Sequence, residues 1–173
     1  MRSSGTTYPL RRVKLRPGEE LRDELAVQLE PFELGAQRYL PAPDHAAAEL
    51  MISRATGGDV FRLRFTTRLH GPCMRCLEDA VVELSVDAQE YHAADASAGD
   101  DLRSEYVVDE QLLVSAWARD AIALQLPEQI LCNPDCAGLC PACGRNLNRE
   151  PHVHEEETVD PRWAVLGELR ERL

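Results

Sequence analysis

Six cysteines stand in short-spaced groups along the chain: Cys73-Met-Arg-Cys76, Cys132-Asn-Pro-Asp-Cys136 and Cys140-Pro-Ala-Cys143-Gly, followed by His152-Val-His154. Thiolate and imidazole are donors that zinc favours. A C-x2-C turn can aim two sulfurs at two corners of a tetrahedron about 2.3 Å from the ion. Pro141 stiffens one such turn, and Gly144 permits the backbone angle that points amides at the sulfurs and damps their reactivity. In a reducing cytosol, clusters of this kind are metal sites before they are disulfides.

The candidate donors divide into two sets of four. Cys73 and Cys76 lack near neighbours, so they need a pair from across the fold, and Cys132 and Cys136 around the Asn-Pro-Asp turn are the natural pair. Cys140, Cys143, His152 and His154 form the compact second set. Alternate residues of an extended chain point to one side, which lets His152 and His154 grip one ion. The rival partition is a single site of Cys132, Cys136, Cys140 and Cys143. Either way the expected cofactor is structural Zn2+, one or two ions. A closed four-ligand site leaves no position for water or substrate, so it braces the fold and activates nothing. No phosphate loop, Gly-x-Ser-x-Gly or paired-carboxylate motif is present. The expectation is therefore no catalytic residue and no small-molecule substrate. The alternative is a thiol-redox or nucleic-acid-processing enzyme using Cys73 and Cys76. A thioredoxin-like pair sits between strand and helix, however, and this one is expected at a hairpin tip. A DNA-binding zinc-ribbon regulator is the weakest option.

The elements that must hold these groups read as follows. Phe61, Leu63, Phe65, Thr67 and Leu69 alternate with Arg62, Arg64, Thr66, Arg68 and His70, the period of a half-buried strand. Leu50 and Ile52 alternate ahead of Thr56-Gly57-Gly58-Asp59, where a tight hairpin turn calls on glycine for positive φ. Val82, Leu84, Val86 and Ala88 alternate after the first cysteine pair. A hairpin centred on Met74-Arg75 sets Phe65 opposite Leu84, Arg62 opposite Asp87 and Thr66 opposite Glu83. The arginines are then salt-bridged rather than free for nucleic acid. A shorter strand is expected over Ala26 to Leu29, before Pro41 and Pro43. Asp109 is expected to cap a helix through Leu112, Leu113, Ala116, Trp117, Ala121 and Leu124, closed by Pro127. Asp160-Pro161 opens a second helix through Trp163, Leu166 and Leu169. The expected fold class is α+β: an antiparallel β-sheet with hairpins around residues 48–92, packed by a helix near 109–126, with a zinc-knuckle segment and a C-terminal helix. Residues 1–131 form the core domain, with a flexible acidic loop at 93–105, and residues 132–173 are appended to it.

Composition narrows the partners. The 173 residues can bury one core, built mainly from aliphatic residues because only 5% are aromatic. Nineteen Lys+Arg against thirty Asp+Glu give a net charge of -11, which disfavours indiscriminate coating of nucleic acid. Residues 1–16 are basic, with Arg11, Arg12 and Lys14 among them. These three, with Arg62, Arg64 and Arg68, are the candidate RNA contacts. No apolar run nears the roughly 20 residues that span a bilayer, and no apolar stretch follows the basic start. The expected location is the cytoplasm, with no membrane partner.

Cys73-Met-Arg-Cys76-Leu77 after a basic strand, Leu124-Gln-Leu-Pro127, and the string from Cys132 to Asn148 with Gly-Leu-Cys-Pro-Ala-Cys-Gly-Arg-Asn-Leu-Asn together resemble the YceD family. Asp160-Pro161-Arg162-Trp163 resembles its closing helix. The resemblance implies a non-catalytic bacterial factor needed for accumulation of large-subunit ribosomal RNA, through maturation or protection of 23S rRNA during assembly. Its implied partner is pre-ribosomal large-subunit RNA, and the acidic body favours a basic ribosomal protein beside it or in its place. Many members carry Cys-x-Cys where this chain has His152-Val-His154, and some lack the second set.

Overall fold

In a computed structural model, residues 5–95, 99 and 102–154 are described. Among the described residues, nine strands and one α-helix follow one another, with a 3-10 turn at Leu10–Arg12: β1 (Tyr8–Pro9), β2 (Glu20–Gln28), β3 (Phe32–Leu34), β4 (Gln37–Pro41), β5 (His45–Arg54), β6 (Gly58–Pro72), β7 (Asp79–Ala93), β8 (Val107–Val108), β9 (Gln111–Leu112) and α1 (Val114–Gln125). All pairings among them are antiparallel. The α+β expectation holds: antiparallel sheets with one helix among the described residues.

β6 organises the main sheet. Its alternating pattern buries Phe61, Leu63, Phe65 and Leu69 on one face and turns Arg62, Arg64 and Arg68 to the other. One edge pairs with β7 from Gly58 to Pro72. The other edge meets β5 along its first half and β4 near its end. β2 extends the sheet beyond β5, in line with Val27 at 0% exposure. α1 packs on β7 and β2, placing Trp117, Ala118, Ala121 and Ile122 in the same core. A large aliphatic side chain such as Ile122 removed from water contributes about 1.5–3 kcal/mol. Cys73, Cys76 and Cys136 belong to this core as well, so the first candidate metal group is continuous with it.

Four expectations need correction. The β6–β7 register sets Phe65 opposite Val86, Arg62 opposite Gln89 and Thr66 opposite Ser85, two residues from the expected pairing. The cause is the tip: Cys73 to Glu78 all lie in the loop, with Leu77 in the left-handed region (φ 62), so the hairpin centres on Arg75-Cys76. A two-residue shift keeps every side chain on its expected face. Second, Asp109 does not cap the helix. Asp109 and Glu110, at φ 49 and 57, form the tight turn joining β8 to β9, the conformation a two-residue hairpin demands. Leu112 is a strand residue, the helix starts at Val114, and Leu124 is 87% exposed. Third, neither Gly57 nor Gly58 takes positive φ. Gly58 is required by proximity, because a Cβ there would run into the His92 carbonyl and the Tyr91 ring. Fourth, the strand expected from Ala26 begins at Glu20.

Part of the acidic segment 93–105 and all of the expected C-terminal helix lie outside the described residues. Where it is described, that segment includes buried Ala93, the last residue of β7, and buried Ser104. No helix among the described residues is long and apolar enough to cross a membrane.

Candidate metal centres

The hairpin tip and the chain after α1 meet at one end of the sheet. Met74 N–H donates to the Ile130 carbonyl (2.9 Å), and Ile130 is 1% exposed, which fixes the returning segment beside the tip. The Asn-Pro-Asp turn then closes with Cys136 N–H on the Asn133 carbonyl (3.2 Å). As a result the donor atoms of Cys73, Cys76, Cys132 and Cys136 all lie within 4.8 Å of one another. Those of Cys140, Cys143, His152 and His154 do the same. This is the two-set partition, and the rival all-cysteine grouping of residues 132–143 does not form.

The inner group fits a tetrahedral thiolate site. Cys73 Sγ lies 3.7 Å from Cys136 Sγ, and Cys76 Sγ lies 3.6 Å from Cys132 Sγ. Sulfurs about 2.3 Å from zinc at the tetrahedral angle are about 3.8 Å apart. Burial raises the Cys73 thiol, but amides of Cys76, Arg75 and Cys132 aimed at its sulfur outweigh that and bring it down to about 6. At Cys76 the Glu78 amide lowers the pKa, but burial and the three neighbouring thiols outweigh it and push the thiol up to about 12. One buried thiolate thus disfavours the next, a repulsion that a divalent cation would relieve. Asn133 Nδ2 and Asn148 Nδ2 each donate to a sulfur, of Cys132 and Cys136 respectively, at 3.4 Å.

The outer group is more open. Cys140 is buried, His152 half-buried, and Cys143 and His154 exposed. Cys143 Sγ and His152 Nε2 are 3.2 Å apart. His152 Nδ1 donates to the Glu150 carbonyl at 2.7 Å, which leaves Nε2 free to coordinate and raises the ring's pKa. Amides of Cys143 and Ala142 hold Cys140 at about 6 against burial.

The two C-x2-C turns share one backbone geometry. In the first, Leu77 N–H donates to the Cys73 carbonyl (3.0 Å) and Cys73 N–H to the Glu78 carbonyl (2.6 Å). In the second, Gly144 N–H donates to the Cys140 carbonyl (2.8 Å) and Cys140 N–H to the Arg145 carbonyl (2.8 Å). The fifth position is left-handed in both, φ 62 at Leu77 and 72 at Gly144. Only the second carries the glycine that this conformation favours.

Sequence reasoning missed the residues that join the two groups. Arg75 accepts Leu139 N–H on its carbonyl (3.1 Å) and donates from its guanidinium to the Cys136 carbonyl (3.0 Å). Gly138, at φ 80, lies so close that a Cβ would come within 3.3 Å of the Arg75 oxygen. Asn148 accepts Ala137 N–H (2.8 Å) while donating to Cys136 Sγ. The Gly-x-Asn-Leu-Asn part of the string was the available signal, since two asparagines so close to a cysteine turn are natural second partners of sulfur.

The arginine stripe is salt-bridged as expected, with Arg62 keeping Asp87 as its partner despite the shifted register. Arg62 makes two 2.7 Å bonds to Asp87, Arg64 reaches Asp87 at 3.3 Å and Glu49 at 3.8 Å, and Arg68 reaches Glu83 at 3.4 Å. Arg11 pairs with Glu110, while Arg12 and Lys14 are exposed.

Residues 61–170 match the family described as "Large ribosomal RNA subunit accumulation protein YceD". An uncharacterized protein of Mycobacterium tuberculosis is 34% identical over 176 residues, covering 96% of this chain and 82% of that protein. The "Large ribosomal RNA subunit accumulation protein YCED homolog 1, chloroplastic" of Arabidopsis thaliana is 31% identical over 64 residues, 37% of this chain and 20% of its own. Its namesake in Zea mays is 45% identical over 40 residues, 23% of this chain and 14% of its own. No solved structure matches.

Proposed function

The chain belongs to the YceD family, and on that premise we propose that it is a non-catalytic factor supporting accumulation and maturation of 23S rRNA of the large ribosomal subunit. The family match over residues 61–170 carries this conclusion, because it runs from β6 through all the candidate metal donors. Two structural zinc ions, one held by Cys73, Cys76, Cys132 and Cys136 and one by Cys140, Cys143, His152 and His154, would cross-link the hairpin tip to the chain after α1. The sulfur spacing supports the first site and the Nδ1-anchored His152 the second. The metal supplies a cross-link. The protein's residues supply the second partners of sulfur and the burial of the inner site.

On this reading residues 1–131 and 132–173 act as one unit in the cytoplasm. The partner is pre-ribosomal RNA, a basic ribosomal protein, or both, with Arg12 and Lys14 as the more available cations. Depleting the protein should lower mature large-subunit rRNA and leave small-subunit rRNA high. Unchanged large-subunit rRNA and precursors would overturn the proposal. Thiol labelling of the metal-loaded protein separates a redox enzyme from this reading: slow modification of Cys73 and Cys76 supports a structural role, and a single fast thiol there contradicts it.

A further inference from the structure

β7 is a free edge of the main sheet: it pairs with β6 along its whole length and with no other strand among the described residues. The register decides which of its backbone groups are spare. Cys73 N–H donates to the Glu78 carbonyl at one end of the β6–β7 ladder, and Ala94 N–H to the Gly57 carbonyl (2.9 Å) at the other. Hydrogen-bonded pairs alternate along an antiparallel ladder, so both ends place them on the even-numbered residues of β7. The N–H and C=O groups of Ser85, Asp87, Gln89 and Tyr91 therefore point away from β6, and no hydrogen bond reaches them among the described residues. The opposite edge differs, because Thr6 bonds the Ala26 carbonyl and the Gln28 N–H of β2.

A groove of about 210 Å³ runs along that edge, with residues 86–90 of β7 on one side and Trp117, Asp120, Ala121 and Leu124 of α1 on the other. Successive side chains of a strand point to opposite faces, so consecutive residues share one wall only where the wall is the strand's edge. A strand added there would hydrogen-bond Asp87 and Gln89 and turn its intervening side chains toward α1. Those side chains would meet Ala121 and Leu124, and Leu124 is 87% exposed in the free protein. The Tyr106 end of the groove is acidic. Tyr106 donates to Asp120 (2.9 Å), and burial, that bond and the charges of Asp120, Glu105 and Glu90 all raise the pKa of its hydroxyl. None of these three carboxylates has an ion-pair partner among the described residues, and Arg103 bears on His92 instead. A second β7 seated here would set Glu83, Asp87 and Glu90 beside the same carboxylates of its twin, so self-pairing is opposed, and the same charges oppose RNA.

We propose that the β7 edge takes an extended segment of a partner protein as an added strand, with aliphatic side chains on Ala121 and Leu124 and a Lys or Arg beside Glu90 and Asp120. The inference rests on the protein-partner side of the function proposed above for the identity of the guest, and its test makes no use of rRNA levels. The full-length protein, as purified, is titrated with a labelled synthetic peptide alternating Thr and Val, its last Val replaced by Lys. With Val turned to α1, the Thr N–H groups face β7. N-methylation of the Thr amides should therefore abolish binding, and N-methylation of the Val amides should leave it intact. Amide exchange at Asp87 and Gln89, fast in the free protein, should slow when the peptide binds. Leu124→Ser removes only an exposed contact and should weaken binding about tenfold. Glu90→Gln with Asp120→Asn should weaken it and flatten its salt dependence. Gln89→Pro removes an outward N–H that β6 does not use, so this variant should keep its melting transition and lose the peptide. Equal binding by both N-methylated peptides, binding indifferent to Leu124→Ser, a peptide-free dimer through β7, or tighter binding of a single-stranded RNA at this edge would overturn the proposal.

Discussion

Replacing Cys132 by serine should destabilise the protein more than replacing His152 by alanine, by an amount set by chain topology. The inner group ties Cys76 to Cys132 across 56 residues of sequence, and the outer ties Cys143 to His152 across 9. The loop-entropy relation for a cross-link gives about 4.2 kcal/mol for the first and about 2.6 kcal/mol for the second at 25 °C. Against a typical total of roughly 5–15 kcal/mol, the inner loss is a large fraction. Cys132 suits the test because it is only half-buried, so its substitution leaves the packing of Cys73, Cys76 and Cys136 largely intact. Thermal unfolding at fixed free zinc should show falls of roughly 8–16 °C for the Cys132 variant and roughly 5–10 °C for the His152 variant. Elemental analysis should show two zinc ions in the parent and one in each variant. Chelation should destabilise the parent and narrow its distance from both variants. If chelation leaves the parent unmoved, or the His152 variant falls as far as the Cys132 variant, the cross-link reasoning is refuted.

Other expectations follow from single contacts. Gly138→Ala, which forces an L-residue to φ 80 beside the Arg75 carbonyl, should cost about 1–2 kcal/mol in urea unfolding. A control substitution at exposed, extended Ala26, Ala26→Ser, should shift stability by no more than about 0.5 kcal/mol. His92 is held below its ordinary pKa of 6.5, first by burial and then by Arg103, while Asp59 opposes the shift and Arg54 pairs with Asp59. The unfolded chain then binds more protons as pH falls below 6.5, so His92 contributes stability above that pH and loses it on acidification. The pH 7-to-5 drop in stability should accordingly shrink in His92→Gln, measured by urea midpoints against the parent. Asp87→Asn frees Arg62 and leaves Arg64 only its longer contact with Glu49, and should raise non-specific RNA affinity with a steeper salt dependence in a filter-binding titration.

Local chemistry made much of the protein legible. The alternation from Phe61 to His70 named the central strand and its buried face, because a period of two survives any even change of register. The type and spacing of the cysteines and histidines named the candidate donors. They also favoured the grouping that the structure brings together, since Cys140, Cys143, His152 and His154 are close in sequence and need little help from the fold. Asp109 was misread because aspartate serves a helix cap and a left-handed turn equally well, and pairing of β8 with β9 chose the turn.

By itself, then, the order of residues determined the candidate donors, the exposed and buried faces of the sheet, and a net acidic charge. Tertiary structure alone decided that Cys132 and Cys136 come to Cys73 and Cys76, that Arg75 and Asn148 join the two groups, and that the free edge of β7 faces α1 across one groove. Those outcomes depend on contacts between positions far apart in the chain. Their geometry is set by sheet register and by the path of the segment after α1, neither of which leaves a periodic trace in the sequence.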